Sequence, residues 1–224
     1  FRRPRVAVFA TGDELFEPGQ PLQPGGLYDS NRYTVWAMLS RLGMTVDDRG
    51  HLPDERAAVE ASLTAAAAEN DAVITTGGVS VGAADHVSVV LREQGAVAFW
   101  QLRMKPGRPL NFGRLGEALF FGLPGNPVSA MVCGHVFLAP MIRAMLGLGK
   151  TLPPRHEARL AHDLDASGPR DHYMRAEVKD GEITPEPRQD SALLSVLANA
   201  NALMIRPAGD GPRKAGDVMQ YLPL

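Results

Sequence analysis

The sequence is poor in most features that would place it outside ordinary α/β chemistry. It has one cysteine, Cys133, in 224 residues, which excludes a disulfide framework and suits a reducing, cytoplasmic setting. That thiol lies among Val132, Val136 and Phe137 and reads as a small buried hydrophobe rather than a nucleophile. The formal net charge is only −2, so nothing electrostatic points to nucleic acid or to a membrane surface. No apolar run reads as a membrane span, and FRRPRV at the start is no signal peptide. His51, His86, His135, His156, His162 and His172 show no metal-ligand spacing, and His86 alone sits beside a candidate site. There is no internal repeat, no Walker loop, no GxGxxG and no Ser/His/Asp order of a hydrolase.

What is present is a hydrophobic fraction of 45%, enough for a sizeable core. Arg5 to Ala10 is an apolar run ending at Thr11-Gly12, a strand entering a Pro- and Gly-rich loop over residues 13–26. Ser30 or Asn31 can cap a helix to Leu42, with Gly43 just beyond it. A weak strand at Met44 to Val46 and an Ala-rich helix from Pro53 to Asn70 follow. Asp71 to Thr76 is continuously apolar, as a strand buried on both faces should be. Asp85 opens a helix to Gln94. Ala96 to Met104 and Ala118 to Leu123 read as strands, and Asn126-Pro127 starts a helix to about Leu146. This alternation predicts a parallel sheet covered on both faces.

The pattern changes at Gly147 to Pro154. Beyond it lie short stretches at Glu157–Leu160, Tyr173–Val178, Glu182–Pro185, Ala202–Pro207 and Val218–Leu222, with a helical piece at Ser191–Ala198. The expected organisation is an α/β domain of three layers over residues 1–148 and a small all-β, barrel-like domain over 149–224. The chain opens on Phe1 rather than Met and runs almost at once into a strand, as a fragment would.

Chemistry concentrates at predicted strand ends. Thr75 to Asp85, reading TTGGVSVGAAD, joins a buried strand to a helix through Gly77, Gly78, Ser80 and Gly82. Such a loop presents backbone N–H groups and a helix N-terminus to an anion. A tight turn needing positive φ is the plainer alternative; three glycines with Thr76 and Ser80 favour binding. Glu14, Asp54 and Asp85 each follow a strand and could converge on Mg²⁺, although Asp54 and Asp85 also suit helix capping. Asp13 suits shaping its own turn. Lys105-Pro106-Gly107-Arg108-Pro109 sets two cations in a stiffened turn, an anion cradle. Gly122 to Ser129, including Pro124, Gly125, Asn126, Pro127 and Ser129, is a further junction, readable equally as a well-capped helix start.

In this order the motifs resemble the molybdenum insertases, the molybdopterin molybdenumtransferases of molybdenum cofactor biosynthesis. The residues that carry the resemblance are Thr11-Gly12-Asp13-Glu14-Leu15, Tyr28-Asp29-Ser30-Asn31, Thr76 to Gly82, Lys105 to Pro109 and Gly122 to Ser129. It extends more weakly through Tyr173 to Ala176, Gln189-Asp190-Ser191 and Ala198 to Ala200. The resemblance implies a molybdopterin-binding fold and an enzyme that takes adenylylated molybdopterin and molybdate and releases AMP. It implies Glu14, Asp54, Asp85 and Lys105 as catalytic, the first three through Mg²⁺. It also implies ligand contacts at Thr11, Gly12, Asp13 and Arg108, and molybdate contacts at Ser129, Arg170, Arg175 and Ser191. Gln101 and Arg108 depart from the family's usual lysines; the first loses a cation and the second keeps one. A homodimer of the longer protein, an adenylyltransferase partner and molybdoenzyme acceptors are implied partners. An adenylyltransferase-like enzyme and a non-catalytic pterin-binding scaffold are the competing readings; the first lacks the trailing β domain and the LPGNPVS block.

Overall fold

A computed structural model describes residues 2–79 and 85–224 of the chain. The first strand, β1 (Arg5–Thr11), is buried from Val6 to Ala10. It runs out into a short two-stranded ribbon, β2 (Leu15–Phe16) with β3 (Leu27–Tyr28). Helix α1 (Asn31–Arg41) returns the chain to β4 (Thr45–Leu52), and α2 (Arg56–Glu69) leads into β5 (Ala72–Thr76). After α3 (His86–Gln94) come β6 (Gly95–Gln101), β7 (Met104–Lys105), β8 (Pro109–Leu115) and β9 (Ala118–Leu123). One continuous rod follows: α4 (Pro127–Cys133), a π turn over Gly134–Leu138, and α5 (Ala139–Met145).

The main sheet has the order β4-β1-β5-β9-β8-β6. The parallel expectation holds for β4, β1, β5 and β9. It fails at β8, which pairs antiparallel with both β9 and β6. The cause is local. The sequence reading ran the preceding strand on to Met104 and assigned no strand after Pro109. In fact the chain turns at residues 106–108 and doubles back as a hairpin partner. The second strand is also longer than Met44 to Val46, because Val46 and Leu52 anchor a stretch whose intervening residues are polar.

Alternate residues of β1 face opposite layers, as the two-residue period of a strand requires. Val6 and Val8 join Val35, Leu39, Leu123, Val132 and Ile142 on one side; Ala7 and Phe9 join Val59, Leu63, Val90 and Phe120 on the other. The helices therefore cover both faces. The rod Pro127–Met145 has 19 residues and is apolar enough to match a membrane span in length, contrary to the first reading. Its buried Val128, Val132, Cys133, Leu138 and Ile142 instead pack in the core.

The remaining strands are β10 (His156–Leu160), β11 (Asp171–Lys179), β12 (Glu182–Pro185), β13 (Ala202–Arg206) and β14 (Val218–Pro223), with helix α6 (Leu194–Asn199) before β13. Their order is β12-β10-β14-β13-β11, and β12 also pairs with β11, which closes a five-stranded barrel. Closure removes the open edges that a small sheet would otherwise expose. β7 adds to β11 in parallel, Asp171 opposite Met104 and His172 opposite Lys105. Leu203 and Leu222 of the barrel are buried in the same cluster as Leu138 and Ile142, so the barrel and the main sheet share apolar packing.

Candidate active site

The sheet order dictates where a ligand fits. From β1 the chain passes to β4 on one side and then, through α2, to β5 on the other. The direction of winding reverses between β1 and β5, the switch point at which open α/β sheets bind ligands beyond their carboxyl ends. The register aligns those ends: Thr11 lies opposite Leu52, Ala10 opposite Thr76, and Thr76 opposite Leu123. Above them lies a cleft of about 920 Å³, into which the segments after β1, β4, β5 and β9 project Thr11 to Glu14, Pro53-Asp54, Gly77-Gly78 and Gly125.

The floor of this cleft is backbone against backbone. Gly77 has φ of +90°, and a Cβ there would stand 2.4 Å from Thr11 Oγ1 and 2.8 Å from the Thr11 carbonyl. Gly77 N–H donates to the Leu123 carbonyl at 2.9 Å, and Thr11 Oγ1 donates to the Thr76 carbonyl at 3.3 Å. The tips of β1, β5 and β9 are thereby fixed to one another. Ser80 and Gly82 lie outside the described residues. Thr76 is buried and does not line the cleft.

Asp85 caps α3, its Oδ1 accepting from Ser88 N–H at 3.0 Å, and it also lines the cleft. One residue therefore both caps the helix and lines the cleft. Asp54 is not a cap; α2 begins two residues later behind Glu55. Its Oδ1 lies 3.6 Å from Nε2 of His86, a cleft residue that sequence reasoning had placed only beside the site. Glu14 folds back over Gly12 at the mouth. Among the described residues no three His, Cys, Asp or Glu side chains form a ready-made metal cage. The donor set is instead one of carboxylates around an open cleft, which fits Mg²⁺ held jointly by one or two of them and by ligand phosphates.

On the opposite side stand Gln101, Arg108 and Pro109. Leu102 N–H donates to the Arg108 carbonyl at 2.9 Å and closes the turn. Gly107 has φ of +101°, and a Cβ there would meet Cys133 Sγ at 2.3 Å. Cys133 thus acts as packing for this turn, its thiol pushed up to about 12 by burial. Lys105 is half-buried in the β7–β11 pairing and does not line the cleft. Of the LPGNPVS block only Gly125 does; Pro124 and Ser129 are buried, while Asn126 and Pro127 are half-buried outside the lining.

Three of the molybdate candidates, Ser129, Arg175 and Ser191, lie elsewhere, where α4 meets the barrel. Val128 N–H donates to the Ser191 carbonyl at 3.3 Å, and Ser129 packs near Gly107. Arg175 is fully buried and donates to the carbonyls of Arg188 at 3.4 Å and Asp190 at 2.9 Å. Its position is that of a brace for residues 186–191. Arg170 is exposed. His172 sits beside them with its pKa pushed down to about 3, by burial first and then by Lys105, Arg175, Arg206 and Arg170. That concentration of positive charge is an electrostatic fact about the locus, legible only once β7 and β11 are paired.

A three-layer α/β body with an anion-suited cleft at its switch point, joined to a closed five-stranded barrel, defines the architectural class. Residues 7–144 match the family described as the probable molybdopterin binding domain, and the chain belongs to it. Residues 157–224 match the MoeA C-terminal region, domain IV. The chain is 39% identical to the molybdopterin molybdenumtransferase of Haemophilus influenzae, over all of this chain and 57% of that protein. It is 34% identical to the one from Bacillus subtilis, over 99% of this chain and 53% of that protein. A molybdopterin biosynthesis moeA protein from Pyrococcus horikosii superposes with a TM-score of 0.86 at 26% identity, over all of this chain and 55% of that one. The chain spans about half the length of the curated relatives it matches.

Proposed function

We propose that this chain is the ligand-binding and reactive portion of a molybdopterin molybdenumtransferase. It binds adenylylated molybdopterin, accepts molybdate as the second substrate, and releases molybdenum cofactor and AMP. The observation that carries this reading is the switch-point cleft, which combines glycine backbone, Arg108 and the carboxylates Glu14, Asp54 and Asp85. The names of the relatives support it, and the match at 157–224 favours an insertase over an adenylyltransferase.

The chemistry follows from charge. Cleaving a phosphoanhydride concentrates negative charge on the departing phosphate oxygens, and fixed cations aimed there lower the barrier. Arg108 serves at the cleft and Lys105 behind it, at the junction with the barrel. A phosphate site that also presents several carboxylates repels its ligand unless a cation intervenes. Mg²⁺ held by Glu14, Asp54 or Asp85 supplies that neutralisation when bound. The chain's own residues orient the ligand: Gly77 and Gly78 admit it close to the backbone, and Thr11, Gly12 and Asp13 close the near wall. Molybdate is assigned to the α4–barrel junction near Ser129, Arg170 and Ser191, with Arg175 holding the segment that carries Ser191.

The domain division is placed at residue 148, and the setting is cytoplasmic. Leu27, Tyr28, Tyr33 and Trp36 are all exposed on neighbouring segments, which supports a homodimer of the longer protein; Trp36→Glu should shift its sedimentation toward monomer, and an unchanged dimer removes this surface from the interface. The principal test uses the full-length protein with Mg²⁺, adenylylated molybdopterin and molybdate. AMP release should depend on all three and be lost in Asp85→Asn. Unchanged turnover in that variant would sink the catalytic assignment.

A further inference from the structure

Outside the cleft, the start of α1 gathers three buried polar residues in succession of four: Asp29, Asn31 and Arg32. None of them lines the cleft, yet their bonds lead to three of the segments that form it. Asp29 has a fully buried side chain whose Oδ1 accepts from Arg32 N–H at 3.1 Å and whose Oδ2 accepts from Arg32 Nε at 3.0 Å; His51 Nε2 lies 3.2 Å from the same Oδ2. Arg32 donates its two remaining nitrogens to Asp48 of β4 and to Glu17 of the loop after β1. Tyr33 adds a hydrogen bond to Glu17 at 2.6 Å. Asn31 Nδ2 donates to the Gly125 carbonyl at 2.6 Å.

Each tether ends a few residues from a group that lines the site. Glu17 stands three residues after Glu14, on a loop whose return strand holds the Glu14 carbonyl through Leu27 N–H at 2.7 Å. Asp48 and His51 lie on the strand that delivers Asp54, and Gly125 is itself part of the lining. We infer that Arg32, set by Asp29, is a positioning residue that locks the Glu14 loop to the Asp54 strand end, with Glu17 as the latch on the loop side and the neighbouring Asn31 tying the Gly125 turn to the same helix start. A buried guanidinium is costly unless all its donors are satisfied. Burial works against the Arg32 charge, but the bonds to Asp48 and Asp29 and the charges of Asp48 and Glu17 outweigh it and raise its pKa. The guanidinium is satisfied only while Asp29, Asp48 and Glu17 all face it, which is what a latch requires. The role rests on the reading of Glu14 as part of the reactive site.

The test uses the full-length protein and Glu17→Gln, which removes the loop-side charge while keeping its shape. Amide hydrogen exchange over residues 12–28 should quicken about ten-fold or more while α2 stays protected. AMP release should fall roughly ten- to hundred-fold, the cost of a misplaced reactive group, with Glu17→Asp restoring part of it. In a Glu14→Gln background Glu17→Gln should cost nothing further, because its whole effect passes through Glu14. Unchanged exchange, or full additivity of the two losses, overturns the inference. Wild-type turnover in Glu14→Gln alone overturns the assignment of Glu14, while the exchange arm still judges the latch. Should Glu17→Gln fold poorly, Tyr33→Phe removes one bond to the same carboxylate and should give the same loss to a smaller degree; exchange and turnover at wild-type levels in Tyr33→Phe would count against the latch.

Discussion

Two residues show how much turns on a single position. Gly77 stands at φ of +90° with no room for a Cβ against Thr11. Gly77→Ala is expected to cost about 1–3 kcal/mol from the backbone alone and more from the displacement of Thr11. Thermal unfolding should show the loss, and calorimetric titration with AMP should show weakened binding. His172 reports on pH. Its pKa in the folded chain is about 3, against about 6.5 in an unfolded one. Between those values the unfolded chain binds a proton that the folded one refuses, so His172 disfavours folding as pH falls from about 6.5 toward 3, and has no effect above that window. His172→Asn should flatten the dependence of the unfolding midpoint on pH across it. The sequence reading could not find this, because the four cations that press on His172 come from three separate segments.

At the scale of elements, the strand ends were legible because their signals are chemical as well as periodic. TTGG after a continuously apolar run, TGDEL after another, and NP before a long apolar helix each mark a junction whatever the tertiary context, and β1, β5, α3, β9 and the rod Pro127–Met145 lie where the sequence placed them. β8 was not legible. Its residues Pro109 to Leu115 begin with a proline and contain Gly113, both unfavourable to strands; only the partners on either side decide the matter. Yet β8 matters to the site. Its Asn111 donates to Ser88 Oγ at 2.9 Å, and Ser88 Oγ donates to the Gly78 carbonyl at 3.2 Å. Asn111→Ala should cost about 1–3 kcal/mol by orphaning this buried chain, read as a lower midpoint in urea. Asp85→Ser separates two roles of the α3 cap. Serine caps as well as aspartate, so the melting temperature should hold while AMP release falls; equal losses of both would return Asp85 to capping alone.

For the molecule as a whole, the sequence conveyed two sheets but not their union. Alternation along short strands is visible in a chain, whereas Leu203 and Leu222 give no sign of facing Leu138 and Ile142 rather than the barrel interior. That shared cluster gives the two sheets a common apolar core, which should couple their unfolding. A single calorimetric transition is expected, and Leu203→Ala should lower it by about 2–5 kcal/mol without splitting it. Two resolved transitions would show that the sheets unfold separately.

One short pairing carries a consequence for motion. Met104 and Lys105 belong by chain order to the α/β body, but their strand partner is β11 of the barrel. The next residues are the turn that carries Arg108, clamped from behind by Cys133. That turn is spliced between two bodies like a tendon. The position of Arg108 at the cleft is therefore tied to that of the barrel, and a displacement of one would carry to the other.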